Sequence, residues 1–120
     1  MTWEVEYTEE FEDWWESDLN EDEQDEIAAV VGLLEAKGPQ LPFPYSSGIY
    51  GSKHSHMREL RIQYGGNPYR IFYAFDLRRI AILLIGGKKT GNDRWYQEFV
   101  PIAEELYDEH LIQLLEEETK

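Results

Sequence analysis

Arg61 and Arg70 stand nine residues apart, on either side of the turn-forming run Gly65-Gly66-Asn67-Pro68. Residues 58–64 and 69–75 alternate as strands do, so the two arginines belong to neighbouring strands of a hairpin. By parity both point off the core face. Lys88 and Lys89 follow at the end of a third strand. Cations gathered on a sheet surface suit a phosphodiester, because a guanidinium grips two phosphate oxygens and stabilises charge that develops on them during reaction. Arginine is always charged, so it stabilises and does not carry protons. The candidate proton carriers are His54 and His56, in Lys53-His54-Ser55-His56, which titrate near neutrality. Tyr96, beside Trp95, adds a hydroxyl and a ring on which a base could stack. Blander readings stand beside these. Glu59 could pair with Arg61 or a neighbouring arginine and decorate a solvated face. Trp95 and Tyr96 could pack their loop onto the sheet.

Other chemistries lack their residues. There is no cysteine, hence no disulfide framework, thiolate nucleophile or thiolate metal site. A lone His-x-His in a loop makes a poor metal site, so neither metal nor cofactor is expected. His110, between Glu109 and Leu111, is expected to face solvent. No P-loop, dinucleotide fingerprint, nucleophile elbow or zinc-protease motif occurs. Carboxylates are abundant but fall on helical outer faces, and no acid pair reads as catalytic.

The chain has 120 residues, 42% hydrophobic and 14% aromatic, which is one domain able to bury a core without staples. Residues 1–16 are acidic and lack the apolar run of a signal peptide. The longest apolar run, 80–85, is far too short to span a bilayer. A cytoplasmic location with no membrane partner follows as the expectation. The net charge of −14 argues against a generic nucleic-acid binder, but it is unevenly spread. Residues 1–52 hold fourteen acids against Lys37, a net −13, and residues 95–120 a net −7. Residues 53–94 hold nine bases against Glu59, Asp76 and Asp93, a net +6. Acidic helical faces explain the two ends but not the basic middle, and function is expected there.

Several elements must position these groups. Residues 3–7 alternate as a half-buried strand. Thr8 can cap a short helix carrying Phe11, Trp14 and Trp15, whose helical spacing makes the tryptophans packing residues. Asn20 with Glu23 reads as a capping box opening a second helix to about residue 36, with Ile27, Val30, Val31 and Leu34 as its buried stripe. Gly38-Pro39 stops it. Residues 39–56 form a long loop, of a kind that is usually functional or mobile. Three strands follow, at 58–64, 69–75 and 80–85, the last apolar on both faces as a central strand is. Gly86-Gly87 is expected to loosen its end. After a loop at 90–100, Pro101 opens a last helix with Ile102, Ala103, Leu106, Tyr107, Leu111, Leu114 and Leu115 as its stripe. The order β-α-α-β-β-β-α predicts an α+β fold, a small mostly antiparallel sheet with helices packed on one side.

Taken together, Leu34…Gly38-Pro39-x-Leu41…Pro44, Arg58-Glu59-Leu60-Arg61, Tyr69-Arg70-Ile71-Phe72-Tyr73 and Leu83-Leu84-Ile85-Gly86-Gly87-Lys88-Lys89-Thr90-Gly91 resemble the HigB branch of the RelE/ParE toxin superfamily. The resemblance is narrowest to the phage-derived, host-killing-protein type and covers about residues 3–115. It implies a RelE-like fold and the toxin of a type II toxin–antitoxin pair, neutralised by a cognate helix-turn-helix antitoxin. Such a toxin enters the ribosome and cuts messenger RNA without a metal, the ribose 2′-OH attacking the adjacent phosphate. Arg61 and Arg70 match the strand arginines that would hold that phosphate, and Lys88 matches the basic residue ending the last strand. Tyr96 and His54 are candidates for proton transfer, with Lys53, His56, Arg58, Lys89 and Arg94 as RNA-binding neighbours. The alternative is a non-enzymatic binding module, either a ParE-like inhibitor of DNA gyrase or an inactive antitoxin-binding homologue. Catalysis requires Arg61, Arg70 and Lys88 to converge on one phosphate-sized space on the open sheet face; if they are splayed or buried in ion pairs, the enzyme reading fails.

Overall fold

A computed structural model describes residues 2–89, 91 and 94–118. The elements in chain order are β1 (Val5–Tyr7), α1 (Glu9–Asp18), α2 (Glu21–Lys37), β2 (Ser46–Gly48), β3 (Arg58–Tyr64), β4 (Asn67–Phe75), β5 (Ala81–Lys88) and α3 (Trp95–Glu118). The strands form one sheet in the order β1-β5-β4-β3-β2, with only β1–β5 parallel. The fold is α+β with a mostly antiparallel sheet, and the long loop supplies a short fifth strand, β2, at one edge. Among the described residues no helix is long and apolar enough to cross a membrane.

Local signals set most boundaries. Thr8 Oγ1 accepts from the Phe11 amide at 3.0 Å and starts α1. Asn20 and Glu23 complete a reciprocal capping box, each side chain taking the other's backbone N–H. The β3–β4 hairpin turns through Gly65 (φ 60°) and Gly66 (φ 80°), a left-handed pair that suits the twist of the strands.

The helices do not share one side of the sheet. α1 and α2 cover the face carrying Leu60, Ile62, Tyr69, Ile71, Tyr73 and Leu83. α3 covers the other, carrying Phe72, Ala74, Ile82 and Leu84. The central strands β4 and β5 are apolar on both faces, so one helical layer could bury only half of that surface. The last helix also begins earlier than its proline suggests, at Trp95, with Pro101 inside it. Trp95 is buried against Phe72 and stacks on Phe99 at 4.7 Å, and that burial offsets the backbone bond proline cannot make.

Gly86 and Gly87 do not loosen β5, since the strand runs through them to Lys88. They are the places where it accepts a tryptophan on each face. A Cβ on Gly86 would lie 2.4 Å from the Trp14 ring, and one on Gly87 would lie 2.9 Å from Trp95. Trp14 thus packs α1 to the sheet and Trp95 packs α3. Gly86→Ala is expected to destabilise the chain by about 1–3 kcal/mol, as overpacking does in well-filled cores. Denaturant melts read this directly, and adding Trp14→Leu should recover part of the loss.

Candidate functional site

Arg61 on β3 and Arg70 on β4 are directly opposite one another in the ladder. Both lie on the face that α3 covers further along. Two guanidinium groups so placed repel unless an anion lies between them. Glu59 supplies it, two residues before Arg61 and therefore on the same face. Its Oε2 accepts from Arg61 Nη1 at 3.2 Å and from Ser47 Oγ at 2.7 Å. Its Oε1 accepts from the Tyr96 hydroxyl at 2.6 Å and lies 3.7 Å from Arg70 Nε. The carboxylate is 4% exposed, so the solvated-face reading of Glu59 does not hold. Four elements meet there: β2 through Ser47, β3, β4, and the first turn of α3 through Tyr96.

Arg70 is itself buried. Its Nη1 donates to the Tyr69 carbonyl at 2.9 Å, while Nε has no hydrogen-bond acceptor. Arg61 is partly exposed and lies over the Phe43 ring, 5.1 Å from its centre. Lys89 Nζ stands 5.0 Å from the centre of the Tyr96 ring. Burial, then the bond to Glu59, pushes the Tyr96 hydroxyl above the ordinary tyrosine range, with Arg70 opposing in part. It therefore keeps its proton at neutral pH.

Arg61, Arg70, Tyr96 and Lys89 are thus brought together. Lys88 is not. Its partner in the ladder is Tyr69, and its ammonium lies 3.7 Å from Glu23 Oε2 and 5.5 Å from the Tyr69 ring centre, on the α1–α2 face. The cause is a bulge in β5. Tyr73 pairs with Leu83 but Phe72 pairs with Ile85, so one extra residue reverses the parity of everything after it.

The loop histidines also lie elsewhere. His54 Nε2 is 2.8 Å from Asp108 Oδ1, and Lys53 Nζ donates to Asp108 Oδ2 at 2.6 Å. His56 Nε2 is 3.1 Å from the Tyr107 hydroxyl, which donates to the carbonyl of Phe75. Phe75 is five residues beyond Arg70 along β4, roughly 17 Å at strand spacing. Lys53, His54 and His56 tie the long loop to α3. Arg58 faces α2's side, its Nε donating to Ser46 Oγ at 2.9 Å. Arg94 is exposed immediately before α3. His110 does not face solvent freely. Its Nε2 is 2.9 Å from Asp76 Oδ2, a buried carboxylate also held by Arg78. Burial pushes the Asp76 carboxyl up, but the Arg78, His110 and backbone hydrogen bonds together bring it below its ordinary value. Among the described residues no group of three His, Cys, Asp or Glu could hold a metal ion.

Sequence reasoning passed over Ser47, and it read Glu59 as a pairing partner of the arginines but on a solvated face and not as a member of the site. The Glu-x-Arg spacing on a strand was the available signal, since it puts both side chains on one face. Removing one partner of a buried ion pair is far costlier than removing both. Glu59→Leu is therefore expected to cost about 3–5 kcal/mol in the native chain and much less in an Arg70→Leu background. A double-mutant cycle by chemical denaturation measures the difference.

The family described as phage derived protein Gp49-like (DUF891) matches residues 13–108. Two Mycobacterium tuberculosis proteins named as candidate toxins are also similar. HigB2 is 38% identical over 108 residues, covering 88% of this chain and 53% of its own length. HigB3 is 41% identical over 92 residues, covering 76% of this chain and 79% of its own. The chain spans about half the length of the first and about four fifths of the second. With the family match running from α1 into α3 and relatives whose HigB names agree with the strand motifs, the chain belongs to the phage-derived Gp49-like family.

Proposed function

We propose that this chain is the toxin of a toxin–antitoxin pair and that it cuts messenger RNA on the ribosome, using Glu59, Arg61, Arg70 and Tyr96. The toxin names of its relatives support the first part. One observation carries the second: a carboxylate and a protonated tyrosine share a 2.6 Å hydrogen bond between two arginines that face one another across adjacent strands.

The chemistry then runs on this chain's own groups. Arg61 and Arg70 hold the phosphate oxygens and offset the charge that builds on them. Glu59 takes the proton of the ribose 2′-OH, and the 2′-oxygen bonds to phosphorus. The bond from phosphorus to the 5′-oxygen breaks, and Tyr96 gives its proton to that oxygen. The products are a 2′,3′-cyclic phosphate and a 5′-OH. Glu59 is left protonated and Tyr96 ionised, and the bond between them lets the proton return directly. Partners in this reading are the ribosome, messenger RNA and a cognate antitoxin of helix-turn-helix type, with no cofactor.

A second reading has its own support. The convergence of Arg61, Arg70 and Lys88 expected of a catalytic site is not met: Lys88 lies on the opposite face, Arg70 is buried, and Glu59 pairs with both arginines and neutralises one of them. A binding module that inhibits by contact, or that only binds an antitoxin, needs no such convergence. The two are separated by inducing the protein and mapping message ends. In the RNA-cutting reading, Arg70→Ala and the more exposed Arg61→Ala each relieve both arrest and cleavage, while Lys88→Ala cleaves within about twofold of the native chain, a change well under 1 kcal/mol. Arrest with intact messages, unmoved by Arg70→Ala, favours the binding module.

Tyr96→Phe is expected to lower the cleavage rate by about 10²–10⁴-fold, the usual contribution of a general acid, while RNA is still bound. The raised folded value means that the hydroxyl loses its proton only above the ordinary tyrosine pKa near ~10. Activity of the native chain should therefore fall with rising pH only beyond that point. The residual activity of Tyr96→Phe should show no such fall.

A further inference from the structure

Three large aromatics in the long loop are exposed, and two of them adjoin the arginine pair. Phe43 is 68% exposed although a guanidinium already lies against it, and Tyr45 is 43% exposed. Tyr45 is held by its backbone on both sides. The Tyr45 amide donates to the Pro42 carbonyl at 3.0 Å, and the Arg61 amide donates to the Tyr45 carbonyl at 2.9 Å, which continues the sheet edge past the end of β2. Pro44, Tyr45, Arg61 and Arg70 line one open cavity, with Glu26 of α2 also on its wall. Tyr45 is pinned through its carbonyl by the strand that presents Arg61, and Phe43 lies against the guanidinium of Arg61 itself.

We infer that Phe43 and Tyr45 form a stacking shelf for a nucleobase of single-stranded RNA, next to the phosphate that Arg61 and Arg70 would hold. The inference rests on the RNA-cutting reading and adds a base-binding subsite to it. A flat aromatic beside a guanidinium offers a base one π-face and offers its phosphate a cation, the pairing by which single strands are gripped without base-edge readout. Charge selects this occupant over others. Net charge is −14 for the chain, yet Arg61 and Arg70 lie beside the shelf with Lys89 at Tyr96. Glu59 and Glu26 offset only part of that charge, so an anionic strand is attracted here more than to the acidic outer faces of the helices. Phe43 and Tyr45 are positioning residues. They touch the base and set which nucleotide reaches Glu59.

The probe is a six-nucleotide RNA with one 2′-deoxy nucleotide at the intended cut, compared with the same oligomer carrying abasic residues on either side of it. Binding is followed by fluorescence anisotropy at low salt. The native chain should bind the abasic oligomer roughly 5- to 150-fold more weakly, the range one stacked base supplies. Phe43→Ala should bind both oligomers alike, and Phe43→Trp should restore the ratio. Arg70→Ala should weaken both while keeping the ratio. A thermal melt checks that these exposed positions leave the fold intact. If Phe43→Ala keeps the native ratio, or the native chain does not distinguish or does not bind the oligomers, the shelf is overturned and its rings await a protein partner instead. If the ratio behaves as expected but unmodified RNA is never cut on ribosomes, the cutting reading alone fails.

Discussion

Two guanidinium groups placed directly opposite one another on adjacent strands repel, and everything around Arg61 and Arg70 follows from how that repulsion is met. Glu59 meets it from within the same strand. Because the carboxylate is buried, it needs a bonding partner for each of its lone pairs, and the neighbouring elements supply them: Ser47 from the edge strand and Tyr96 from the start of α3. Closing the edge of the sheet with β2 and docking α3 by its N-terminal turn are thus two answers to one electrostatic demand. Glu23 plays a parallel part on the opposite face. There it takes the Asn20 amide, the Tyr69 hydroxyl and the Lys88 ammonium, fixing the start of α2 against the other side of β4.

The distribution of charge in space bears on the chain's acidity. α1 and α2 pack on the Leu60–Ile71 side of the sheet, beyond it from the arginine pair, although Glu26 of α2 reaches the wall of the cavity that Arg61 and Arg70 line. α3 starts at the pair with Tyr96; Glu98 lies in its first turn, and its other acids follow at increasing distance. Glu116, Glu117 and Glu118 are roughly 33 Å distant at helical rise. Over such distances salt at about 0.15 M leaves little of the repulsion, its screening length being about 8 Å. The acidic total therefore does not describe the field at the arginines, although it slows approach from any other direction.

How much of this was legible in the sequence depended on whether the deciding interaction was local. Thr8, the Asn20–Glu23 box, the Gly65-Gly66 turn and the alternation of 58–64 and 69–75 act within a few residues, and each could be read directly. The arginine pair was legible for the same reason. Lys88 was not, because its face depends on a bulge between Leu83 and Ile85 that exists only where β5 meets β4. His54 and His56 looked like proton carriers in a loop, but Asp108 and Tyr107, some fifty residues later, claim them. Pro101 suggested a helix start, and the burial of Trp95 across the sheet overrode it. In each case a contact distant in sequence outweighed a correct local rule.

The last question is what Glu59 is for, since a neutralising carboxylate and a general base share one geometry. A residue that only neutralised would sit where it bonded both arginines fully. Glu59 does not. Arg61 donates to it, but Arg70 Nε stays 3.7 Å away and, buried, has no acceptor at all. An unmet buried donor costs roughly 1–3 kcal/mol, a cost that a purely structural cluster would remove by a small shift. Holding Arg70 back leaves its Nε without an acceptor, beside a carboxylate whose two oxygens are divided between a cation and a protonated tyrosine. In the RNA-cutting reading a phosphate oxygen is the acceptor that Nε lacks.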